Sequence, residues 1–252
     1  MAEAGMSETE ARGVTEGSLL GGKIHYRQFA AGHRSGFEPV LLAASVPAKP
    51  GETVLEAGTG AGAALLCLDR RVPGLAGTGV EIVPELADLA NENFKINGLS
   101  SYSCVCADIG QAGFGAVFDH AMANPPWHGA ASTKSPDARR ALAHHAGPGL
   151  LKQWIGGLSA YLKPRGSISL ILPAALYGEA SASLRQYRYG AIQLFPLWPR
   201  AGQPAKLVII AARRGAGGPD KVLPGLVLHD GAGITEAAQA ILRDGRPTAL
   251  AA

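Results

Sequence analysis

The chain has 252 residues, of which 47% are hydrophobic and 17% charged, enough to bury one large core. No run reaches the roughly 18 apolar residues of a membrane span, and the polar start lacks the apolar stretch of a secretory signal, so a soluble, cytoplasmic protein is expected. The net charge of +3 permits a nucleic-acid partner, while Cys67, Cys104 and Cys106 are too few for a disulfide scaffold or a four-ligand zinc site and read as buried thiols.

Met1–Ser18 holds few large apolar residues to offset the entropy of ordering and is expected as a disordered tail, with residues 19–252 forming one domain. Gly21–Phe29 alternates, turning Ile24, Tyr26 and Phe29 inward, as a short hairpin or edge strand does. Arg34-Ser35-Gly36-Phe37 is a polar turn into a helix with Pro39 near its first position; Glu38 there either complements the helix dipole or walls a ligand pocket. Thr53–Glu56 reads as a buried strand, followed by the turn Ala57–Gly62 and a helix through Leu68. Gly77–Ile82 is a second strand, and Pro84–Asn97 a helix with Leu86, Leu89, Ala90 and Phe94 on one face and Gly98 at its C-cap.

Ser103–Ala107 and Val117–Ala123 are the third and fourth strands. His128–Gly149 is a long polar loop, too long for a plain connector. Leu150–Leu162 follows as a helix with Leu151, Trp154, Ile155 and Leu158 on its core face, then the strand Gly166–Leu172 and the helix Ala182–Tyr189. Ala191–Leu197 and Leu207–Ala212 have no helix between them and are expected to pair antiparallel, giving a mostly parallel α/β sheet with an antiparallel edge strand. Leu226–Leu228 is a short strand and Thr235–Leu242 a final helix capped near Thr235.

Five features of this order carry chemistry. Glycines alternating after a strand in Gly58-Thr59-Gly60-Ala61-Gly62 let the backbone turn tightly and approach a ligand resting on the next helix N-terminus. Glu81, with Ile82 behind it, ends the second strand about 20 residues on, where a carboxylate grips ribose hydroxyls. Glu56 immediately before the loop suits a ligand amino group, which favours S-adenosylmethionine over a dinucleotide, and Asp108, followed by Ile109 after the third strand, either caps a helix or meets an adenine amine. The fourth strand ends in Asn124-Pro125-Pro126-Trp127. This is either a proline turn or a rigid floor on which the Asn124 amide oxygen and the Pro125 carbonyl accept both hydrogens of an exocyclic amine while Trp127 stacks on its ring. Open α/β sheets bind at the carboxyl ends of their strands, so these groups are expected to converge on one edge. Arg34, Lys134, Arg139 and Arg140 either form a solvated basic surface or hold nucleic-acid phosphates; His144-His145 has no further ligand nearby, and no metal site is expected.

The series Glu56-Ala57-Gly58-Thr59-Gly60-Ala61-Gly62, Glu81, Asp108, Asn124-Pro125-Pro126-Trp127 resembles the S-adenosylmethionine-dependent N-methyltransferases that modify exocyclic or amide nitrogens. With Gly36–Leu42, Pro199–Lys206 and the tail from Leu226 to Gly245, it is similar more narrowly to the bacterial tRNA1(Val) adenine-N6-methyltransferases. The resemblance implies a Rossmann-like class I methyltransferase, a seven-stranded sheet with helices on both faces. It implies that Glu56, Ala57, Gly58, Gly60, Gly62, Glu81, Ile82, Asp108, Ile109 and Asn124 hold the cofactor, and that Asn124, Pro125, Pro126 and Trp127 take the target amine. Its substrate would be an adenosine beside the anticodon of a tRNA, or another structured RNA, acted on by a monomer or weak homodimer. A protein glutamine N5-methyltransferase, a DNA adenine methyltransferase and a non-catalytic RNA-binding module share parts of the pattern. Trp127 stands where the family usually has Tyr or Phe.

Overall fold

The computed structural model describes residues 13–30, 36–115, 117–126 and 149–251. The described residues begin with β1 (Val14–Leu19) and β2 (Ile24–Phe29), an antiparallel hairpin that forms its own two-stranded sheet. Val14–Ser18, expected to lie in a disordered tail, therefore belong to a strand. β1 is mostly exposed and gives no buried face to read, but its backbone pairs along the whole length of β2.

Next come α1 (Glu38–Ala43), β3 (Thr53–Ala57), α2 (Ala63–Arg71), β4 (Ala76–Glu81), α3 (Pro84–Ile96), β5 (Tyr102–Cys106) and β6 (Phe118–Ala123). Beyond the undescribed residues 127–148 follow α4 (Leu150–Ala160), β7 (Leu162–Pro173), α5 (Tyr177–Gln186), β8 (Tyr189–Arg200), β9 (Leu207–Arg214), β10 (Lys221–Val222), β11 (Leu226–Asp230), β12 (Gly233–Ile234) and α6 (Glu236–Asp244). The main sheet runs β12-β11-β8-β9-β7-β6-β3-β4-β5, with β10 also on β8. It has ten strands among the described residues, not the expected seven, because the segment after β9 turns back and lays β10, β11 and β12 along the β8 edge.

The strand expected as the antiparallel edge, β9, is also not at the edge, a place taken by β12, which runs antiparallel to β11. The turn from β8 to β9 is too short for a crossover helix, so β9 returns antiparallel and inserts between β7 and β8. β8, β11 and β10 then continue the parallel direction outside it.

Alternation along the strands builds a core on each face. Val54, Ile171 and Ile209 join the cluster under α1, α2, α3 and α6, whereas Leu55, Leu170 and Ile210 join the cluster under α4 and α5. Cys67 and Cys104 are buried as expected, but Cys106 is exposed because it ends β5, the outermost strand.

The hairpin is docked on α3 by two asparagines one helical turn apart. The Asn97 Oδ1 accepts from the His25 N–H at 3.0 Å and its Nδ2 donates to the His25 carbonyl at 2.7 Å. Asn93 does the same for Arg27, at 2.9 and 2.8 Å. Asn93 is fully buried and donates also to the Ala61 carbonyl at 2.8 Å, so one side chain joins the hairpin, α3 and the glycine turn. α6 has the expected Thr235 cap, whose Oγ1 accepts from the Ala238 N–H at 3.1 Å.

Candidate active site

Strand register brings the motifs together. Ala57 pairs with Val80 and with Ala123, and Glu81 pairs with Cys106, so Gly58, Glu81, Ala107 and Asn124 leave four neighbouring strands at one edge of the sheet. These are the carboxyl ends of β3, β4, β5 and β6.

The glycine turn has the backbone that its composition demands. Gly58, Gly60 and Gly62 have φ of +67°, +56° and +89°, a region that side chains with a Cβ rarely adopt. At Gly58 a Cβ would also come within 2.6 Å of the Trp154 ring, and at Gly62 within 2.8 Å of Phe94. At Gly60 a Cβ would meet no heavy atom within 4 Å, so conformation alone explains that glycine. The Gly58 and Thr59 N–H groups donate to the Val80 carbonyl, fastening the turn across to β4.

Glu81 grips the same turn. Its Oε2 accepts from the Gly60 N–H at 2.9 Å and its Oε1 from the Val83 N–H at 3.0 Å. Burial raises its carboxyl above the usual range against these N–H donors. Glu56 is 3% exposed, and its Oε2 has no hydrogen-bond partner among the described residues. Burial pushes this carboxyl well above the ordinary range; the Thr59 side chain and the Leu65 N–H oppose the shift, while nearby Glu81 adds to it. A buried, under-bonded carboxylate beside a second acid is a site that gains from a cation.

Ile82 is 50% exposed beside Glu81, a flat apolar surface at the mouth of the site. Asp108 is exposed, and its Oδ1 accepts from the Gly110 N–H at 2.8 Å, so it caps a turn and not the helix weighed against an adenine contact. Ile109 is buried against the Gly157 backbone region of α4. Asn124 is half-buried and Pro125 buried at the end of β6, with Pro126 following. Trp127 and the basic residues Arg34, Lys134, Arg139 and Arg140 lie outside the described residues.

Two residues were not read as part of this region. Trp154, assigned to the core, reaches from α4 to lie against Gly58, and Asn93 holds the Ala61 carbonyl. The signal for Asn93 was available: it is a polar residue on the same helical face as Leu89, Ala90 and Phe94. Among the described residues no group of three or more potential ligands could hold a metal, and no helix is long and apolar enough to cross a membrane.

The strand order, the glycine turn and the two acids define a class I methyltransferase. Residues 38–157 match the family model described as the Methyltransferase small domain, and the chain is an S-adenosylmethionine-dependent methyltransferase. It is 27% identical over 196 residues to the tRNA1(Val) (adenine(37)-N6)-methyltransferase of Aeromonas hydrophila, covering 75% of this chain and 83% of that one. In fold it is similar to a predicted O-methyltransferase of Agrobacterium tumefaciens, with a TM-score of 0.68 at 22% identity over 83% and 96% of the two chains. It is also similar to the 16S rRNA N2 G1207 methyltransferase of Thermus thermophilus, crystallised with its methyl donor and guanosine, with a TM-score of 0.57 at 20% identity over 80% and 50%.

Proposed function

We propose that the protein methylates the exocyclic N6 of an adenosine in RNA, at a tRNA adenosine beside the anticodon. The observation that carries this reading is the place of Asn124-Pro125-Pro126: directly beyond Ala123, which pairs with Ala57 at the mouth of the glycine turn. An amine acceptor and a cofactor loop on adjacent strand ends suit transfer between two ligands held side by side. The similarity to curated tRNA1(Val) (adenine(37)-N6)-methyltransferases, at modest identity, supports the nucleotide.

S-adenosylmethionine fits the residues present, because the under-bonded Glu56 carboxylate suits an amino group and the glycine turn leaves backbone close to the ligand. When bound it supplies an electrophilic sulfonium methyl. Glu56 with Ala57, Gly58, Gly60 and Gly62 is proposed to hold its amino-acid end, Glu81 its ribose, and Ile82, Asp108 and Ile109 its adenine. Asn124 Oδ1 and the Pro125 carbonyl accept the hydrogens of the target amine, which orients the nitrogen lone pair toward the cofactor side. These acceptors bind more strongly as the nitrogen gains positive charge, and no strong base is needed. Pro126 stiffens the floor and Trp127 stacks on the base. Arg34, Lys134, Arg139 and Arg140 are proposed to hold phosphates of the RNA.

The test incubates the protein and labelled cofactor with total bacterial tRNA lacking native adenosine modifications, then digests it to nucleosides. Label is expected in N6-methyladenosine. Label in a protein glutamine or in DNA would overturn the substrate, and RNA binding without any transfer would overturn the chemistry.

A further inference from the structure

We propose that the cleft beside Trp198 seats an unpaired base flanking the methylated adenosine; the inference rests on the RNA reading above. β8 runs parallel to β7 and β6, so its exit at Arg200 and the following turn lie on the same sheet edge as Asn124. The Ala174 N–H donates to the Lys206 carbonyl at 2.9 Å, tying the end of that turn to the exit of β7, the neighbour of β6. With strands spaced at about 4.8 Å, Lys206 at the head of β9 stands about 10 Å from β6 and Trp198 about 14 Å. That is the reach of a few nucleotides.

The cleft has a volume of about 550 Å³ and is lined by Trp198, Ala201, Gly202, Gln203, Pro204 and Val227. Its ring platform is fixed. The Trp198 Nε1 donates to the Pro224 carbonyl at 3.1 Å, and a Cβ on Gly225, whose φ is +81°, would come within 2.8 Å of that nitrogen. The polar edge of the indole is therefore occupied and its apolar surface lines the cleft.

Charge selects the occupant. Arg200 and Lys206 bracket the turn and are exposed, and no carboxylate lies between Trp198 and Leu207. Arg200 donates to the Gly231 carbonyl and so stands beside the β11–β12 turn, where Asp230 is the acidic residue. An aromatic platform between two cations, with the Gln203 amide at its rim, matches a stacked base with a phosphate on either side. A paired base presents no free ring face, so the occupant is single-stranded.

The probe is an anticodon stem-loop RNA carrying 2-aminopurine at single positions flanking the target adenosine. Binding is expected to change the fluorescence of at least one flanking position. Trp198→Ala should abolish that change and weaken binding roughly 5- to 150-fold, the range for one stacked base, while Trp198→Phe retains most of both. Ala201→Glu, at an exposed lining position away from the core, should weaken binding without touching the fold. Lys206→Ala should reduce the slope of log affinity against log salt by about 0.7. Cofactor affinity is expected to stay at the wild-type value in all four variants, which reports an intact fold. If the wild type methylates the stem-loop but Trp198→Ala and Ala201→Glu bind it as tightly as wild type, the subsite is wrong and the RNA reading stands. If the wild type neither binds nor methylates any RNA, both fall together.

Discussion

The two ends of the central sheet treat charge in opposite ways. At the amino end Asp119 accepts from Lys163 at 2.8 and 2.9 Å and from the Thr53 N–H and Oγ1 at 3.0 and 2.9 Å. Beside it Glu52 meets His120 Nε2 at 2.8 Å, and His120 Nδ1 meets Ser167 Oγ at 2.7 Å. Burial works to raise both carboxyls, but these partners prevail and hold both below the ordinary range. At the carboxyl end Glu56 and Glu81 go the other way, raised by burial, with one Glu56 oxygen lacking a partner among the described residues. The amino end resembles a clamp across β3, β6 and β7, and the carboxyl end a site whose electrostatics favour binding over stability.

Substitutions at the two ends should therefore separate function from stability. Asn124→Ala is expected to reduce methyl transfer by roughly 10²- to 10³-fold with cofactor affinity kept, as the loss of a donor or acceptor to a developing charge does. Single-turnover rates beside calorimetric titration check it; unchanged turnover would remove Asn124 from the mechanism. Next, Glu56→Gln should weaken cofactor binding roughly 10- to 100-fold, the value of a hydrogen bond to a charged group, and raise the melting temperature of the cofactor-free protein. Lower stability in that variant would break the comparison at its root.

Asp119→Ala should do the reverse, destabilising by about 1–2 kcal/mol with kcat and KM of the folded enzyme unchanged, as measured by denaturant titration and steady-state assay. The smallest effect concerns pH. Because the folded-state pKa of Glu56 lies above its unfolded value near 4.5, the folded state binds more protons at neutral pH. Its contribution to stability thus rises as pH falls from the raised value toward 4.5 and is level below. The Asp119 and Glu52 contributions are present above their unfolded values and are lost only as pH falls through their lowered folded ones. Subtracting the Glu56→Gln stability curve from that of the wild type between pH 7 and about 5 isolates the first of these.

The site was more legible in the sequence than the sheet that presents it. Glycines at alternate positions after a β run, an acid about 20 residues later and an Asn-Pro-Pro turn are local patterns, and each sits where a strand ends. The position of β9 is not local: the short turn showed that β8 and β9 pair antiparallel, but whether β9 lies inside or outside β8 depends on contacts with β7. β1 was missed because it is mostly exposed and owes its order to pairing with β2. Trp154 was read as core, and it is partly buried against the core; that the ring also closes on Gly58 follows from how α4 crosses β3.

The two asparagines of α3 carry a further consequence. By meeting both the N–H and the C=O of His25 and Arg27, the amides take the place of a third strand, so the outer edge of β2 is shielded from pairing with another molecule at these residues. Asn93 also holds Ala61, so undocking the hairpin and loosening the glycine turn break bonds of the same side chain. The two openings share one free energy. A ligand that steadies the turn is expected to slow hydrogen exchange at the Arg27 amide, which it never touches.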